Sequence, residues 1–496
     1  MILKTRRLGG ATTENYQIST IAQELANIFV SEMKLAQHCL AFLVWIGLVL
    51  PVLSQLLFCY YTNWSQYRRG SGKFIPNNID PSLCTHILFA FATLNGNQVK
   101  TTEWNDVAML NEIVRLKKRN PQLKILLSVG GWGTNARKFS SMASTARSRE
   151  EFLNSASKFL NRYSLDGLDI DWEYPAVAYR GGSPKDKYNF VLLLQLLRRR
   201  LTRRYLLTIA VAAGKQIIDV GYDVQRIART VDYILLMTYD FHGSWEKLTG
   251  HLSPLYPKKG ETNGRQYLNV DYAVTYWKSK GAPANKLIMG IPFYGRSFTL
   301  VDGQLNGMMA PATRPGTPGP IIHSSGVMSY QEICLVEKSW SRHWDNDHQV
   351  PYLVRGNQWV GYENKESVRL KGNYLVSRNL AGAMIWSLDF DDFDNACRQG
   401  RFPLLNTLVS SLALHNRRPT TFRSYTVRPQ ATTPRIWTHS PNIPHSICPP
   451  NVNVIIGDPY NCHVFHVCYL GRDYRYICPP TLVWDPRIQA CNYNHH

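Results

Sequence analysis

The most informative part of the chain is the octapeptide Asp166-Gly167-Leu168-Asp169-Ile170-Asp171-Trp172-Glu173. Its acids alternate with apolar residues, and a β-strand sends alternate side chains to opposite faces. The pattern therefore predicts a strand with the carboxylates of Asp169, Asp171 and Glu173 on one face. Like charges and desolvation both oppose ionisation of acids crowded on a buried strand. Such an arrangement favours a site that holds and delivers a proton.

Two other interpretations apply to a bare D-x-D-x-E pattern. The acids of such a pattern often lie on the solvated face of an edge strand. A calcium-binding loop of the EF-hand type needs a Gly at its sixth position, a Glu at its twelfth and polar residues between them. Here Leu168, Ile170 and Trp172 stand between the acids, which disfavours calcium.

Eight short apolar runs recur along the chain, and helix-like segments such as Arg149–Tyr163 and Tyr188–Arg204 separate most of them. Alternating strands and helices predict a parallel sheet, and eight repeats predict a closed (β/α)8, or TIM, barrel. The runs are rich in Val, Ile and Leu, as strands buried on both faces should be. The predicted strands are Leu56–Trp64, His86–Leu94, Lys124–Trp132, Gly167–Tyr174, Tyr205–Ala213, Tyr233–Phe241, Leu287–Gly295 and Ala381–Leu388.

The segment between the seventh and eighth runs is too long for one helix. Residues 297–364 contain extended, aromatic-rich pieces, which predict a small α+β insertion that builds one wall of a cleft. The predicted fold is α/β: a TIM barrel with this insertion between strands 7 and 8, plus a small disulfide-rich C-terminal module. We divide the chain into a barrel at 55–412, a linker at 413–445 and the module at 446–496.

The N-terminus contains a predicted secretory signal at residues 33–54. A short basic start precedes an apolar core, and Ser54 offers a small residue for cleavage. Residues 1–32 show no domain-like pattern and stay unassigned. A membrane anchor is the alternative, because the stretch 39–58 is nearly long enough to span a bilayer. We favour a secreted, extracellular protein, since the first barrel strand is predicted to begin at Leu56.

Composition narrows the class of partner. The formal net charge is +21, a feature shared with nucleic-acid-binding proteins. The basic residues are scattered among many aromatics, however, and the chain has no P-loop and no zinc-finger spacing. We therefore expect no nucleic-acid partner. Residues 413–445 are rich in Pro, Thr, Ser and Arg, which is typical of a flexible linker.

The chain has ten cysteines, a number that fits an oxidising compartment. Cys39 would leave with the signal, so an odd number would remain and one thiol would lack an internal partner. Cysteines are dense in the C-terminal module, which is too small to bury a stable core without cross-links.

The octapeptide resembles the signature of the family-18 glycoside hydrolases, the chitinases, with every acidic position filled. The stretch Ser128-Val129-Gly130-Gly131-Trp132 is similar to a second signature of that family. The resemblance covers residues 56–412. It implies a secreted enzyme that cleaves the β-1,4 N-acetylglucosamine linkages of chitin and chitooligosaccharides, with endo action and retention of configuration. It also implies no metal and no cofactor, and we expect a monomer without stable membrane association.

The same resemblance implies roles for individual residues. In this family the N-acetyl oxygen of the substrate itself attacks the anomeric carbon. Glu173 would be the general acid and later the base. Asp171 would hold the acetamido N–H and support the oxazolinium charge, and Asp169 would share a proton with it. Tyr239 would orient the acetamido carbonyl, whereas Asp166 is expected to be structural.

Aromatic and polar residues at the ends of the predicted strands suit a neutral sugar polymer. Pyranose rings present flat C–H faces, and aromatic side chains offer large apolar areas. The chemistry of a TIM barrel lies at the C-terminal ends of its strands, where these residues would line a cleft. Trp64 and Trp245 are further candidates for stacking, with core packing as the alternative. The predicted substrate-binding residues are Tyr60, Phe91, Glu103, Trp104, Gly130, Gly131, Trp132, Tyr174, Met237, Asp240, Tyr294, Arg296 and Trp386.

The C-terminal module resembles the peritrophin-type chitin-binding domain in its cysteine spacing and in the stretch 478–485. That family has six cysteines, and the one missing here would leave Cys462 without a partner. We expect Trp484 in the core of the module and some of its other aromatic residues exposed for stacking on sugar rings. The disulfide bonds that the two resemblances imply are Cys59–Cys84, Cys334–Cys397, Cys448–Cys468 and Cys478–Cys491.

Three alternative functions were weighed against hydrolysis of chitin. A non-catalytic chitin-binding lectin on the same barrel is the first, but lectins of that type lack the acidic glutamate that this chain keeps as Glu173. The second is an endoglycosidase acting on N-glycans, which the chitin-binding-like module disfavours. The third is a basic adhesion or nucleic-acid-binding protein, which the missing phosphate-binding motifs disfavour.

Overall fold

The structure is a computed structural model that describes the barrel region and parts of the C-terminal segment. The described residues are 55–412, apart from 263, and 454–469, 472–478, 482–485 and 490–493. The chain divides into two compact units, one within residues 1–420 and one within 421–496. The predicted signal and linker lie outside the described residues.

Eight parallel strands close into a ring, which confirms the predicted TIM barrel. β1 pairs with β2 on one side and with β15 on the other, so the sheet has no gap. The strands of this sheet are β1 (Leu56–Thr62), β2 (His86–Asn95), β3 (Gln98–Thr101), β4 (Lys124–Gly130), β5 (Gly167–Asp171), β6 (Leu206–Ala212), β7 (Tyr233–Met237), β8 (Leu287–Pro292) and β15 (Gly382–Trp386). Of these, β3 is antiparallel to β2 and lies outside the ring.

Helices cover the outer face of the barrel. The alternating side chains of β5 and of Trp172, just after it, show which residues these helices cover. Leu168, Ile170 and Trp172 point outward into the layer of helices. The Trp172 ring stacks on Phe139 at 5.4 Å and meets Phe190 edge-on at 5.4 Å. The α-helices within residues 55–412 are Asp106–Arg115, Ala136–Ser144, Ala146–Arg162, Asp186–Leu201, Lys215–Gly221, Val224–Thr230, Val270–Ser279, Tyr330–Val336, Lys365–Ser377 and Pro403–Ser411.

A second, smaller cluster fills the barrel interior. Phe58, Leu126, Leu235, Ile288 and Met384 belong to it, and all are fully buried. Since side chains alternate along a strand, each inward residue has outward neighbours in the helix layer. The interior is therefore apolar toward the N-terminal ends of the strands, and polar groups collect near the opposite mouth.

The insertion between β8 and β15 contains a six-stranded antiparallel sheet. Its strands are β9 (Tyr294–Leu300), β10 (Ala312–Pro315), β11 (Val327–Ser329), β12 (Ser341–Asp345), β13 (Val350–Arg355) and β14 (Gln358–Gly361). The sheet begins at Tyr294, earlier than the predicted start at residue 297. The reason is that Tyr294 and Gly295 pair with β11 and so belong to the insertion, although the sequence suggested the end of a barrel strand.

Most barrel strands end sooner than the sequence suggested, because their polar and aromatic C-terminal residues form loops at the barrel mouth. The first strand ends at Thr62 and a 3-10 helix covers Asn63–Tyr67, whereas the prediction extended to Trp64. The fourth strand of the ring, β5, ends at Asp171, so Glu173 lies beyond the strand.

Two disulfide bonds fasten this unit. Cys59 on β1 is joined to Cys84, just before β2, and Cys334 in the insertion is joined to Cys397 after β15. Both pairs are those that the resemblance implied. At the start of β5, Asp166 accepts a hydrogen bond from the Ile125 amide at 2.7 Å and so ties β5 to β4.

The C-terminal unit contains a three-stranded sheet, β16 (Val454–Gly457), β17 (Val464–Tyr469) and β18 (Arg472–Ile477). A two-stranded sheet follows, β19 (Leu482–Asp485) and β20 (Ala490–Tyr493). Cys478 is disulfide-bonded, and Cys462 is exposed and in no disulfide within the described residues. Tyr460 is 94% exposed. Cys448 and the side chains of Cys468, Trp484 and Cys491 lie outside the described residues, so the pairs Cys448–Cys468 and Cys478–Cys491 stay predictions.

No helix in the described parts of the chain is long and apolar enough to cross a membrane.

Candidate active site

Asp169 lies inside the barrel and is held by three hydroxyl groups. Its partners on the adjoining strands are Ser128 and Thr208. Ser128 Oγ donates to Oδ2 at 2.7 Å, and Thr208 Oγ1 donates to Oδ1 at 2.6 Å. The Tyr60 hydroxyl donates to Oδ2 at 2.9 Å. Burial raises the pKa of Asp169, and the three hydroxyl donors act in the opposite direction. Both carboxylate oxygens therefore have protein donors.

Asp171 and Glu173 form a coupled pair of buried acids at the mouth. Asp171 ends β5, and Glu173 follows beyond it; their side chains are 3% and 8% exposed. Oδ1 of Asp171 is buried and accepts no hydrogen bond from any described residue. Burial raises the pKa of Asp171 well above its ordinary value, and the negative charge of Glu173 adds to this. Burial also raises the pKa of Glu173, to about 7.

The sequence predicts that Asp169 and Asp171 share a proton. In the structure, hydroxyl groups donate to both oxygens of Asp169. Burial, and then the negative charges of Glu173 and Asp169, raise the pKa of Asp171. The sharing of a proton between Asp169 and Asp171 stays a prediction.

Small residues leave room beside Asp171. Gly130 and Ala210 are its partners on the neighbouring strands. A Cβ atom at Gly130 would lie 2.0 Å from the Asp171 carbonyl oxygen, and one at Gly131 would lie 2.3 Å from the Phe91 ring. Their φ angles are 126° and 79°, a region that favours glycine. The second signature, Ser128–Trp132, therefore marks the place where two strand ends approach closely.

Four aromatic rings form a continuous floor above Asp169. Trp386, at the end of β15, stacks on Phe91 at 5.7 Å and lies 5.1 Å from the Tyr60 ring. Trp64 extends the floor, with its ring 5.9 Å from Phe91 and 37% of its surface exposed. Trp64 is therefore a surface ring and not part of the core, which was the alternative. The floor offers a broad apolar face beside the acids.

Three more predicted residues line the same mouth. Met237, at the end of β7, is buried, and Tyr174 and Tyr239 pack half-buried against the interior cluster. The Tyr239 hydroxyl lies 3.7 Å from the Met384 sulfur, which is a weak acceptor, and its ring meets Tyr294 edge-on at 6.3 Å. This hydroxyl is thus weakly engaged by the protein and lies among the groups that surround the acids.

Asp240 connects the barrel to the insertion. The Tyr294 hydroxyl donates to Oδ1 at 2.7 Å, and Arg296 donates from Nε and Nη2 to the two oxygens at 2.8 and 2.5 Å. The Arg296 guanidinium also lies 5.2 Å from the Trp245 ring, which is 58% exposed. The insertion therefore supplies one polar and aromatic wall of the cleft, as predicted.

Trp132 stands on the opposite wall and is 60% exposed. Glu103 and Trp104 lie in the loop after β3, and Trp104 is 85% exposed. Glu103 accepts a hydrogen bond from the Tyr67 hydroxyl at 2.9 Å. No hydrogen bond or ring contact among the described residues joins Glu103 or Trp104 to the acids, and their role in substrate binding stays a prediction.

Three residues of the site were missing from the sequence prediction: Ser128, Thr208 and Arg180. Ser128 and Thr208 bond Asp169 directly. The alternation of side chains in β4 and β6 is consistent with both residues pointing inward. Only the register of those strands against β5 identifies them as partners of Asp169. Arg180 donates from Nε to the Glu173 carbonyl at 3.0 Å and from Nη2 to the Trp132 carbonyl at 2.6 Å. It lies in a loop that carries no recognisable motif.

Comparison with known families agrees with this geometry. Residues 56–391 match the family described as Glycosyl hydrolases family 18. Residues 448–496 match the Chitin binding Peritrophin-A domain.

Individual relatives and solved structures cover most of the chain. It is 41% identical to mouse chitotriosidase-1 over 467 residues, which are 91% of this chain and 99% of the relative. The structure of Ostrinia furnacalis Group IV chitinase superposes with a TM-score of 0.70 at 39% identity, over 72% of this chain and 100% of that one. Human YKL-39, described as a pseudo-chitinase with retained chitooligosaccharide binding properties, superposes with a TM-score of 0.69 at 44% identity, over 73% and 100% of the two chains. The chain belongs to family 18 of the glycosyl hydrolases and carries a Peritrophin-A chitin-binding domain at its C-terminal end.

Proposed function

We propose that this protein is an active chitinase that hydrolyses β-1,4 N-acetylglucosamine linkages with retention, assisted by the substrate's own acetamido group. One observation carries the proposal: a buried carboxylate, Asp171, has an oxygen without a protein donor and lies beside an acid, Glu173, whose pKa is raised to about 7. A neutral Glu173 is a proton donor near neutral pH. The unsatisfied oxygen of Asp171 suits a donor from the substrate, such as an acetamido N–H.

In the first step, Glu173 protonates the glycosidic oxygen. The carbonyl oxygen of the substrate's acetamido group forms a bond to the anomeric carbon as the bond to the leaving sugar breaks. This produces a cyclic oxazolinium ion and leaves Glu173 as a carboxylate. Asp171 accepts the acetamido N–H and stabilises the developing positive charge. Tyr239, whose hydroxyl is weakly engaged by the protein, is the candidate donor to the acetamido oxygen.

In the second step, Glu173 accepts a proton from water as that water attacks the anomeric carbon from the face that the leaving sugar vacated. The oxazolinium ring opens, the acetamido group is restored and Glu173 is neutral again. Two displacements at one carbon retain its configuration. Asp169 keeps its place beneath Asp171 through Ser128, Thr208 and Tyr60.

The remaining residues of the site fit a polymer of N-acetylglucosamine. Within the floor, Trp64, Phe91 and Trp386 offer an apolar surface to a pyranose ring, and Trp132 and Trp245 expose rings on the two walls. Exposed rings on both sides of the acids suit binding of sugar units on either side of the cleaved bond, so we propose endo action. We also propose that residues 33–54 direct secretion, and that the protein acts outside the cell as a monomer.

A lectin function is the competing proposal, because human YKL-39 is described as a pseudo-chitinase that retains chitooligosaccharide binding. Retention of the acid distinguishes the two. A lectin has no need for a raised pKa at Glu173, whereas the open oxygen of Asp171 would serve binding of the acetamido group in either case.

The test is the substitution Glu173→Gln in the full chain. Gln has the same shape but is not an acid at this position, so turnover of chitotetraose should fall by about 10²- to 10⁴-fold. Glu151→Gln is the matched control, because Glu151 lies on the helix Ala146–Arg162 and bonds only Asn97 and Arg147 among the described residues. Its turnover should stay at the wild-type level. Products are read by chromatography, and binding is measured by Trp fluorescence.

The outcomes separate the two functions. Wild-type hydrolysis that is lost in Glu173→Gln, with binding kept, supports the chitinase. Binding without hydrolysis in the wild type identifies a lectin. Hydrolysis that survives in Glu173→Gln would disprove the role of the acid.

A further inference from the structure

Arg180 links the catalytic acid to the exposed aromatic wall. Its guanidinium lies 3.8 Å from the centre of the Trp132 ring, so it covers one face of that ring. Nη2 donates to the Trp132 carbonyl at 2.6 Å, and Nε donates to the Glu173 carbonyl at 3.0 Å. The Arg180 side chain therefore holds the main chain of two loops, one after β4 and one after β5. It also holds the Trp132 ring.

The loop that carries Arg180 is fixed by a buried carboxylate. Asp186 is fully buried; its Oδ2 accepts from the Ser183 amide at 2.7 Å and the Ala176 amide at 3.3 Å. Its Oδ1 accepts from Ser140 Oγ at 2.7 Å, on the helix Ala136–Ser144. Gly181 follows Arg180 with a φ of 88°, a conformation that favours glycine. Arg180 is thus presented from a rigid turn.

We propose that Arg180 is a positioning residue that fixes Trp132 and the Glu173 main chain as one rigid wall of the cleft. This inference rests on the proposed function for its kinetic consequences, although the wall itself also matters for binding. Arginine suits the task because its planar guanidinium stacks on an aromatic face and still donates hydrogen bonds in fixed directions. Lysine keeps the charge but offers neither the flat stack nor the two directed bonds.

The same contact has an electrostatic consequence for the acid. Burial has the largest effect on the pKa of Glu173 and raises it; the positive charge of Arg180 lowers it. The other titratable groups around Glu173 are Asp171 and Tyr174 on its own segment, Tyr239 and Asp240 after β7, and Tyr222 after β6. Arg180 opposes the effect of the acids in this group, so its removal should raise the pKa of Glu173 further.

The sign of the kinetic effect follows. Glu173 must be neutral to protonate the leaving group, so the rate is lost as the pH rises through its pKa. Raising that pKa extends activity to higher pH. Positioning and charge are therefore separable: loss of the stack weakens substrate binding, and loss of the charge moves the alkaline limb of the pH profile.

Three variants of the full chain test this. In Arg180→Gln, we expect KM for chitotetraose to rise about 3- to 10-fold, as for loss of a partly exposed cation–π contact together with a hydrogen bond. We also expect the alkaline limb of kcat/KM to move up by about 0.5 to 1 pH unit, as for removal of a nearby opposite charge. Arg180→Lys should raise KM but keep the limb near its wild-type position. Arg147→Gln, at a side chain that is 91% exposed, is the charge-matched control and should change neither.

The proposal is overturned if Arg180→Gln, folded as judged by circular dichroism, keeps both the wild-type KM and the wild-type limb. It is also overturned if the Lys and Gln variants change both quantities equally, since that result indicates only a damaged loop. If the wild type binds chitotetraose without hydrolysing it, the proposed chitinase function fails by itself. The wall is then judged by the dissociation constant from Trp fluorescence, which both Arg180 variants should raise by the same factor of about 3 to 10.

Discussion

Asp240 and Arg296 form a two-bonded ion pair that joins the barrel to the insertion. Arg296 donates from Nε at 2.8 Å and from Nη2 at 2.5 Å, and Tyr294 adds a third donor to the same carboxylate. Asp240 has a φ of 55°, in the left-handed region that Asn and Asp tolerate better than most residues. Burial has the largest effect on the pKa of Glu173, and the negative charge of Asp240 raises it further.

The first prediction concerns Asp240→Asn, which keeps the backbone conformation and one acceptor but removes the charge. Arg296 is then unpaired, and the like charge near Glu173 is gone. Both changes lower the pKa of Glu173, so the alkaline limb of kcat/KM should move to lower pH by a few tenths of a unit. This is opposite in direction to the shift expected for Arg180→Gln. An alkaline shift in Asp240→Asn would contradict the electrostatic account of the site.

The second prediction concerns the wild-type pH profile. The pKa of Glu173 is raised to about 7, and kcat/KM reports groups of the free enzyme. Activity should therefore be present below pH 7 and fall about tenfold for each pH unit above it, as expected for loss of a single essential proton. Initial rates on chitotetraose at constant ionic strength measure this. A rate that stays constant through pH 9 would show that Glu173 is not the acid or that its pKa lies well above 7.

The sequence predicted the barrel and most of the site, because both follow from local patterns. Alternation of acids with Leu168, Ile170 and Trp172 orients β5 correctly, with the apolar residues in the helix layer. The strand itself ends at Asp171, however, and Glu173 reaches the site from beyond it. The ends of the strands were predicted too long because aromatic and polar residues at the mouth resemble strand residues in composition.

What the sequence did not reveal depends on contacts between distant segments. Ser128 and Thr208 are ordinary hydroxyl residues until the register places both of them opposite Asp169. Tyr294 was predicted to end a barrel strand, but it pairs with Ser329 in the insertion. Arg180 acquires its role only because the loop around Asp186 brings it over Trp132. None of these three relations has a periodicity that a single segment can show.

The third prediction concerns a fully buried ion pair between the barrel and the insertion. Lys371 contacts Glu363 and donates to the Ser253 carbonyl and hydroxyl at 2.6 and 2.8 Å. Neither charged side chain is exposed. Lys371→Met should lower the free energy of unfolding by about 3 to 5 kcal/mol, because it leaves Glu363 buried without its partner.

The double variant Lys371→Met with Glu363→Leu distinguishes charge from packing. It should be more stable than Lys371→Met alone, since no buried charge remains. Arg147→Met is the surface control; its pair with Glu151 is exposed and should contribute less than about 1 kcal/mol. Urea unfolding of the barrel, followed by Trp fluorescence at one pH, measures all three. A double variant less stable than Lys371→Met would mean that specific packing, and not the unpaired charge, dominates.

The last prediction concerns the C-terminal chitin-binding domain. The barrel lies within the first compact unit, whose last described helix ends at Ser411, and the domain lies within the second. A tethered binding domain raises the local concentration of an enzyme on an insoluble polymer and does little for a soluble substrate. Deletion of residues 415–496 should therefore reduce adsorption to solid chitin and turnover on it, and leave chitotetraose kinetics nearly unchanged.

Cys462→Ser is the matched control, because Cys462 is exposed and in no disulfide within the described residues, so this variant should adsorb like the wild type. If the deletion alters neither adsorption nor turnover on solid chitin, the domain does not bind chitin in this protein. If it lowers chitotetraose turnover as well, the domain contributes to the barrel directly and the tethering argument is wrong.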